Sequence, residues 1–248
     1  MDDYVSARAS AGRFHRTTED DMRRLLVWFV ACGVLLLPAV VAQVSQAPQA
    51  PQASQTSKDL DARVTKFLDD HRADWHDLNV PESDGQLLHD LVVKGRYTRA
   101  LEIGTSTGRS GVWTAWGLAK TGGKLITIEI DKGRHDQAVL NFQGAGLAAF
   151  VDARLADAHE LVPALPGPFD FVFIDADKDW YTAYVKAVIP KLVVGGCLTA
   201  HNVYASRGGR SRGGNMTGDF YQYLTSLPFM ETTVTSGGVA ISYKRREK

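Results

Sequence analysis

The sequence predicts an α/β fold, a doubly wound and mostly parallel sheet covered by helices on both faces. Three observations carry this. The runs "RALEIG" (99–104), "KLITIEI" (124–130) and "FDFVFIDA" (169–176) are almost wholly apolar, as strands buried on both faces are. Helical segments alternate with them, which is the pattern of strand–helix–strand crossovers. The chain then closes on "ETTVTS" and "VAISYKR", joined by Gly237 and Gly238, which reads as a hairpin.

The elements follow in order. An opening helical region covers about 59–94. The strand 99–104 runs through "TSTG" into the helix "RSGVWTAWGLAK", which stops at Gly122 and Gly123, because glycine adopts the left-handed conformation that ends helices. The strand 124–130 precedes a helix at about 133–143. A short strand "FVDARLA" and a short helix near 159–165 come next. The strand 169–176, the helix "WYTAYVKAVIPKL" and the strand "GCLTAHNV" complete the parallel part. A Gly/Arg loop, a helix at about 217–226 and the hairpin finish the chain, and no internal repeat is evident.

The bulk composition narrows the classes. The 248 residues suffice for one good-sized domain with extras. Twenty-eight acids balance 28 bases, which gives no reason to expect a nucleic-acid or acidic-membrane partner. Cys32 and Cys197 make no readable disulfide framework. Ahead of the domain (58–248) lie three segments: a lead at 1–21, a signal peptide or membrane anchor at 22–42, and a Gln/Ala/Pro/Ser linker at 43–57. Met22 would serve as a start codon. Arg23 and Arg24 precede the apolar run Leu25–Ala42, so if that run is used the rest lies outside the cytoplasm. If it is not used, the domain is cytoplasmic.

In such a sheet, ligands bind beyond the carboxyl ends of the strands. After the first strand, Gly104 and Gly108 permit close approach of the backbone, and the next helix offers free N–H groups to an anion. The G-x-x-x-G spacing departs from the dinucleotide fingerprint. Glu129 ends an otherwise apolar strand 21 residues past Gly108, where an acid can bind both ribose hydroxyls. Together these indicate an adenosine-containing ligand.

"VPESDGQLL", "ALEIGTSTGRSGVWTA", "ITIEID", "FDFVFIDADKDWY" and "GGCLTAHNVY" occur in one order over residues 78–244. In this the chain resembles the class I S-adenosylmethionine-dependent O-methyltransferases of the catechol and caffeoyl-CoA type. The resemblance implies a Rossmann-like seven-stranded sheet with an antiparallel last strand, a small phenolic substrate and a homodimer. It implies that Val80, Gly104, Ser106 and Ser110 line the methionine end, Glu129 the ribose, and Asp157 and Ala158 the adenine. Glu102, Thr105, Gly108 and Asp175 complete the implied cofactor set.

It further implies that Asp175 ligates a divalent metal and that Lys178 helps deprotonate the acceptor hydroxyl. A metal chelated by two vicinal oxygens lowers the hydroxyl's pKa, and a nearby ammonium lowers it further. The next strand end would complete the ligands with an Asp-Asn pair, but this chain has His201 and Asn202. Three readings of His201 stay open. It ligates manganese, cobalt, zinc or iron in preference to magnesium, it is a general base in a metal-free site, or it is a bystander.

The remaining features read more plainly. "SRGGRSRGGNMTGD" is a loop beside the site, not an RNA-binding tract. Trp180 and Tyr181 pack under the following helix or touch a planar acceptor, Trp113 and Trp116 are core, and His71, His76 and His89 lack metal spacing. Two function classes remain: an O-methyltransferase, or a non-catalytic or metal-independent adenosyl-ligand-binding protein of the cell envelope.

Overall fold

A computed structural model describes residues 50–76, 78–204 and 216–247. The expectations for 1–49 and the Gly/Arg loop at 205–215 fall outside these residues. Among the described residues no helix is long and apolar enough to cross a membrane.

The opening helical region is two helices. The first, α1 (Ala50–Asp70), begins inside the expected linker, since alanine and glutamine are good helix formers. It buries Val64 and Phe67 against the second layer. The second, α2 (Glu82–Gly95), starts directly after Pro81 and carries Glu82 and Asp84 in its first turn. Acids are favoured there by the helix dipole.

The strands β1 (Arg99–Ile103), β2 (Lys124–Glu129), β3 (Val151–Leu155), β4 (Phe169–Ile174), β5 (Leu192–Ala200), β6 (Met230–Val234) and β7 (Ala240–Lys244) form one seven-stranded sheet. Its order is β3-β2-β1-β4-β5-β7-β6. The first five are parallel, and β7 lies antiparallel to both β5 and β6. The expected parallel sheet, closing hairpin and antiparallel last strand are all present.

Crossover helices connect the parallel strands: α3 (Arg109–Thr121), α4 (Lys132–Gly144), α5 (Ala158–Ala164) and α6 (Tyr181–Val188), with α7 (Met216–Thr225) before the hairpin. The segment 180–192 is not one helix. Single 3₁₀ turns flank α6, and Pro190, which has no N–H, ends the α-helical ladder. β5 then begins at Leu192, four residues earlier than expected.

Side chains alternate across the sheet as its pleat requires. Leu101, Ile103, Val172 and Ile174 face α5, α6 and α7, whereas Ala100, Phe171 and Phe173 face α2. All seven are essentially inaccessible. Each large one contributes about 1.5–3 kcal/mol through burial. From β1 the chain winds one way through β2 and β3, and from β4 the other way through β5. The carboxyl ends of β1 and β4 therefore mark the switch point at which such sheets bind ligands.

Candidate active site

A cavity of about 990 Å³ opens at that switch point. Its floor is the loop after β1. Gly104 has φ +98°, and a Cβ there would sit 2.6 Å from the Asp175 carbonyl oxygen. Only glycine lets the ends of β1 and β4 come this close. Ser106 is also left-handed, at φ +50°. Its N–H donates to Glu129 Oε2 at 2.8 Å. The amide of Asn141 holds the Thr107 carbonyl at 2.8 Å, and that of Asn79 holds the Thr107 hydroxyl at 2.9 Å.

At one end of the cavity stands Glu129, only 5% exposed. The backbone N–H groups of Ile130 and Asp131 donate to its Oε1. The Arg134 guanidinium also grips Oε1, at 2.7 and 3.1 Å. This hydrogen bond, aided by the negative charges of Glu129 and Asp131, outweighs the opposing effect of burial and raises the pKa of Arg134. Beside them Asp157 caps α5 through the N–H of His159, at 2.8 Å. The His159 ring stacks on Trp180 at 3.7 Å and 16°. Trp180 also meets Tyr184 of α6 at 6.3 Å but stays 40% exposed, so it is only partly covered by the following helix.

At the other end, Asp175 is the hub. Lys178 Nζ donates to Asp175 Oδ1 and to the Tyr181 hydroxyl, both at 2.6 Å. Tyr181 in turn donates to the His201 carbonyl at 3.1 Å. Burial and the adjacent Asp175 push the Tyr181 pKa well above its ordinary value, so the hydroxyl keeps its proton. His201 Nδ1 lies 3.0 Å from Asp175 Oδ2, and Nε2 lies 3.1 Å from Asp84 Oδ2. A neutral imidazole has one N–H, so two carboxylate partners call for the doubly protonated ring. Burial opposes that charge, but the hydrogen bond and charge of Asp175, aided by Asp84, outweigh it and raise the His201 pKa.

This geometry does not fit the expected metal set of Asp175, His201 and Asn202. Both ring nitrogens of His201 are directed at carboxylate oxygens, and both oxygens of Asp175 are engaged. An imidazole ligand needs a free lone pair aimed at the ion. Among the described residues no group of three or more His, Cys, Asp or Glu is arranged to hold one.

Gly104, Ser106, Glu129, Asp157, Ala158, Asp175, Lys178, His201 and Asn202 all line the cavity. Val80, Glu102, Thr105, Gly108 and Ser110 do not line it; they support it from behind. Val80 is core, and its carbonyl receives Arg109. Gly108 caps α3 at φ +97°. Glu102, on the α2 side of β1, is fully buried and accepts from Thr127 at 2.5 Å. Thr127 also pairs with Thr105. Burial first, then the charges of Asp175 and Glu129, push the Glu102 carboxyl up to about 7, against the hydrogen bonds of Ser110 and Thr127.

Asp84 and Arg134 are not singled out by the sequence, and Tyr181 is, but as a packing aromatic and not as a partner of Lys178. Arg134 and Tyr181 stand five and three residues after Glu129 and Lys178, so local spacing could have raised them. Asp84 reaches His201 across 117 residues, and no local signal announces that.

Comparison with known proteins agrees with the geometry. The model of the O-methyltransferase family matches residues 53–208, and the chain belongs to that family. It is 36% identical over 130 residues to a catechol O-methyltransferase of Niastella koreensis, covering 51% of this chain and 58% of that one. It is 40% identical over 131 residues to a catechol O-methyltransferase of Mycobacterium tuberculosis, covering 52% and 58%. The match therefore spans somewhat over half the length of these relatives. Among solved structures, the Bacillus cereus O-methyltransferase in complex with SAH superposes with a TM-score of 0.62 at 27% identity, covering 78% of this chain and 97% of that one. TomG of Streptomyces achromogenes, in complex with SAM, gives 0.62 at 27%, covering 74% and 90%.

Proposed function

We propose that this protein transfers a methyl group from S-adenosylmethionine to a hydroxyl of a small phenolic, catechol-like acceptor. The observation that carries this is the two-ended cavity. An anchored carboxylate, Glu129, stands at one end, and an ammonium, Lys178, is fixed by Asp175 and Tyr181 at the other. Gly104, which lets the ends of β1 and β4 approach each other, lines the cavity between them. The catechol O-methyltransferase relatives and the SAM- and SAH-bound neighbours support the reading.

S-adenosylmethionine, when bound, supplies a methyl already activated on a sulfonium centre. The chain's residues have to align the acceptor oxygen with that methyl and remove a proton. Glu129 binds the ribose hydroxyls, and Asp157 with the start of α5 fixes the adenine. Lys178 stabilises the developing phenolate and so lowers the hydroxyl's pKa. The hydroxyl proton passes to a carboxylate oxygen of Asp175, which lines the cavity, since the His201 ring between its two carboxylates has no lone pair left to take it. The homodimer and an anchor at residues 25–42 stand as proposals for sedimentation and cell fractionation.

The test is calorimetric titration of the full chain with S-adenosylmethionine, followed by incubation with the methyl-labelled compound and a phenol panel. Binding together with label in the acceptor is expected. Binding without transfer to any phenol would reduce the protein to an adenosyl-ligand binder.

A further inference from the structure

We infer that this site transfers methyl groups without a divalent cation, because the Asp84–His201–Asp175 bridge stands where a metal centre would be. The inference rests on the proposed methyl transfer and assigns its acceptor end.

Three observations carry it. First, the His201 ring is held from both sides, by Asp175 at 3.0 Å and Asp84 at 3.1 Å. Hydrogen bonds along both ring nitrogens leave no lone pair free for an ion. Second, the central carboxylate is already taken: the Lys178 ammonium holds Asp175 Oδ1 at 2.6 Å and the His201 ring lies 3.0 Å from Oδ2, so neither oxygen is left for an ion. Third, the bridge is built in. His201 is 8% and Asp84 9% exposed. The two come from the end of β5 and the first turn of α2, and the His201 N–H is fixed on the Ile174 carbonyl at 3.0 Å. Asp84 is therefore a positioning residue: it holds the imidazole in the plane that Asp175 requires.

The substrate class changes with this. Chelation by a metal requires two vicinal oxygens on the acceptor. A fixed ammonium beside a hydrogen-bonded imidazole requires one hydroxyl. The site should accept phenols with a single hydroxyl as well as catechols.

Metal binding is measured directly, apart from catalysis. The full chain is equilibrated with Mn²⁺, Mg²⁺ or Zn²⁺ in the presence of S-adenosylmethionine, and bound metal is determined by electron paramagnetic resonance and elemental analysis. No stoichiometric metal is expected, with S-adenosylmethionine still bound and turnover unchanged in chelator. One ion per chain, together with loss of turnover in chelator, would overturn the inference while leaving methyl transfer intact. Failure to bind S-adenosylmethionine would instead sink the underlying reading. His201→Asp, which replaces the bridging ring by a carboxylate, should create Mn²⁺ binding. Asp84→Asn should leave metal binding absent and lower kcat on the order of 10²-fold, as misplacing an acid–base group does, with KM for S-adenosylmethionine unmoved. An Asp84→Asn variant with full kcat would remove Asp84 from the mechanism. Use of catechols alone, with no turnover of single-hydroxyl phenols, would overturn the substrate assignment.

Discussion

Glu102→Gln offers a test of how the sheet supports the cavity, because the magnitude follows from the structure. The Glu102 carboxyl is wholly buried, and its Oε1 has no hydrogen-bond partner. Burial raises its pKa from the ordinary 4.5 to about 7. The folded chain therefore holds this proton more tightly than the unfolded chain does. The stability so gained is complete below 4.5 and is lost as pH rises through about 7. That displacement corresponds to about 3 kcal/mol at alkaline pH. Glutamine keeps the shape, still accepts from Thr127 and carries no charge. The variant should match wild type near about pH 5 and exceed it by up to about 3 kcal/mol near about pH 8.5. In urea melts that is a midpoint shift of about 1 M or more. Affinity for S-adenosylmethionine should hold, since Glu102 lies behind the cavity wall. An equal loss of stability at both pH values would refute the reasoning, for it would mean that the charged carboxylate is the favoured form.

Three further outcomes are expected. Glu129→Ala should weaken S-adenosylmethionine binding by about 1–3 kcal/mol in calorimetry, the cost of stranding polar partners; unchanged affinity would dismiss the ribose assignment. Lys178→Ala should lower kcat by about 10²–10⁴-fold with cofactor affinity intact, and normal turnover at neutral pH would take Lys178 out of the chemistry. Gly104→Ala, which forces a Cβ to 2.6 Å from the Asp175 carbonyl at φ +98°, should lower the melting temperature and S-adenosylmethionine affinity together, with a strain of about 1–3 kcal/mol or more; a melting curve like wild type would mean that the two strand ends can part freely.

The sheet was legible because its strands are buried on both faces, so β1, β2 and β4 show as apolar runs with nothing else able to satisfy them. The opening helices merged into one region because their boundary rests on Pro81 alone, and α6 was overread because Pro190 lies inside an apolar periodic run. Residues at strand ends, such as Glu129, Asp175, Lys178 and His201, were legible because the switch-point rule selects strand ends. The partner of His201 was not. Asp84 sits in the first turn of α2, where an acid reads as a helix-dipole residue, and only the tertiary fold brings it 3.1 Å from the ring. The same gap explains the expected metal: His201 and Asp175 do converge, but in an orientation that depends on this third group.

The most direct measurement is mass spectrometry of catechol incubated with the full chain and S-adenosylmethionine deuterated in its transferable methyl. The expected product is catechol carrying one fully deuterated methyl on a hydroxyl oxygen, formed in step with S-adenosylhomocysteine and in the presence of chelator. Unmodified acceptor after the chain is shown to bind S-adenosylmethionine, or deuterium found elsewhere than on oxygen, would contradict the assignment of this cavity to O-methyl transfer.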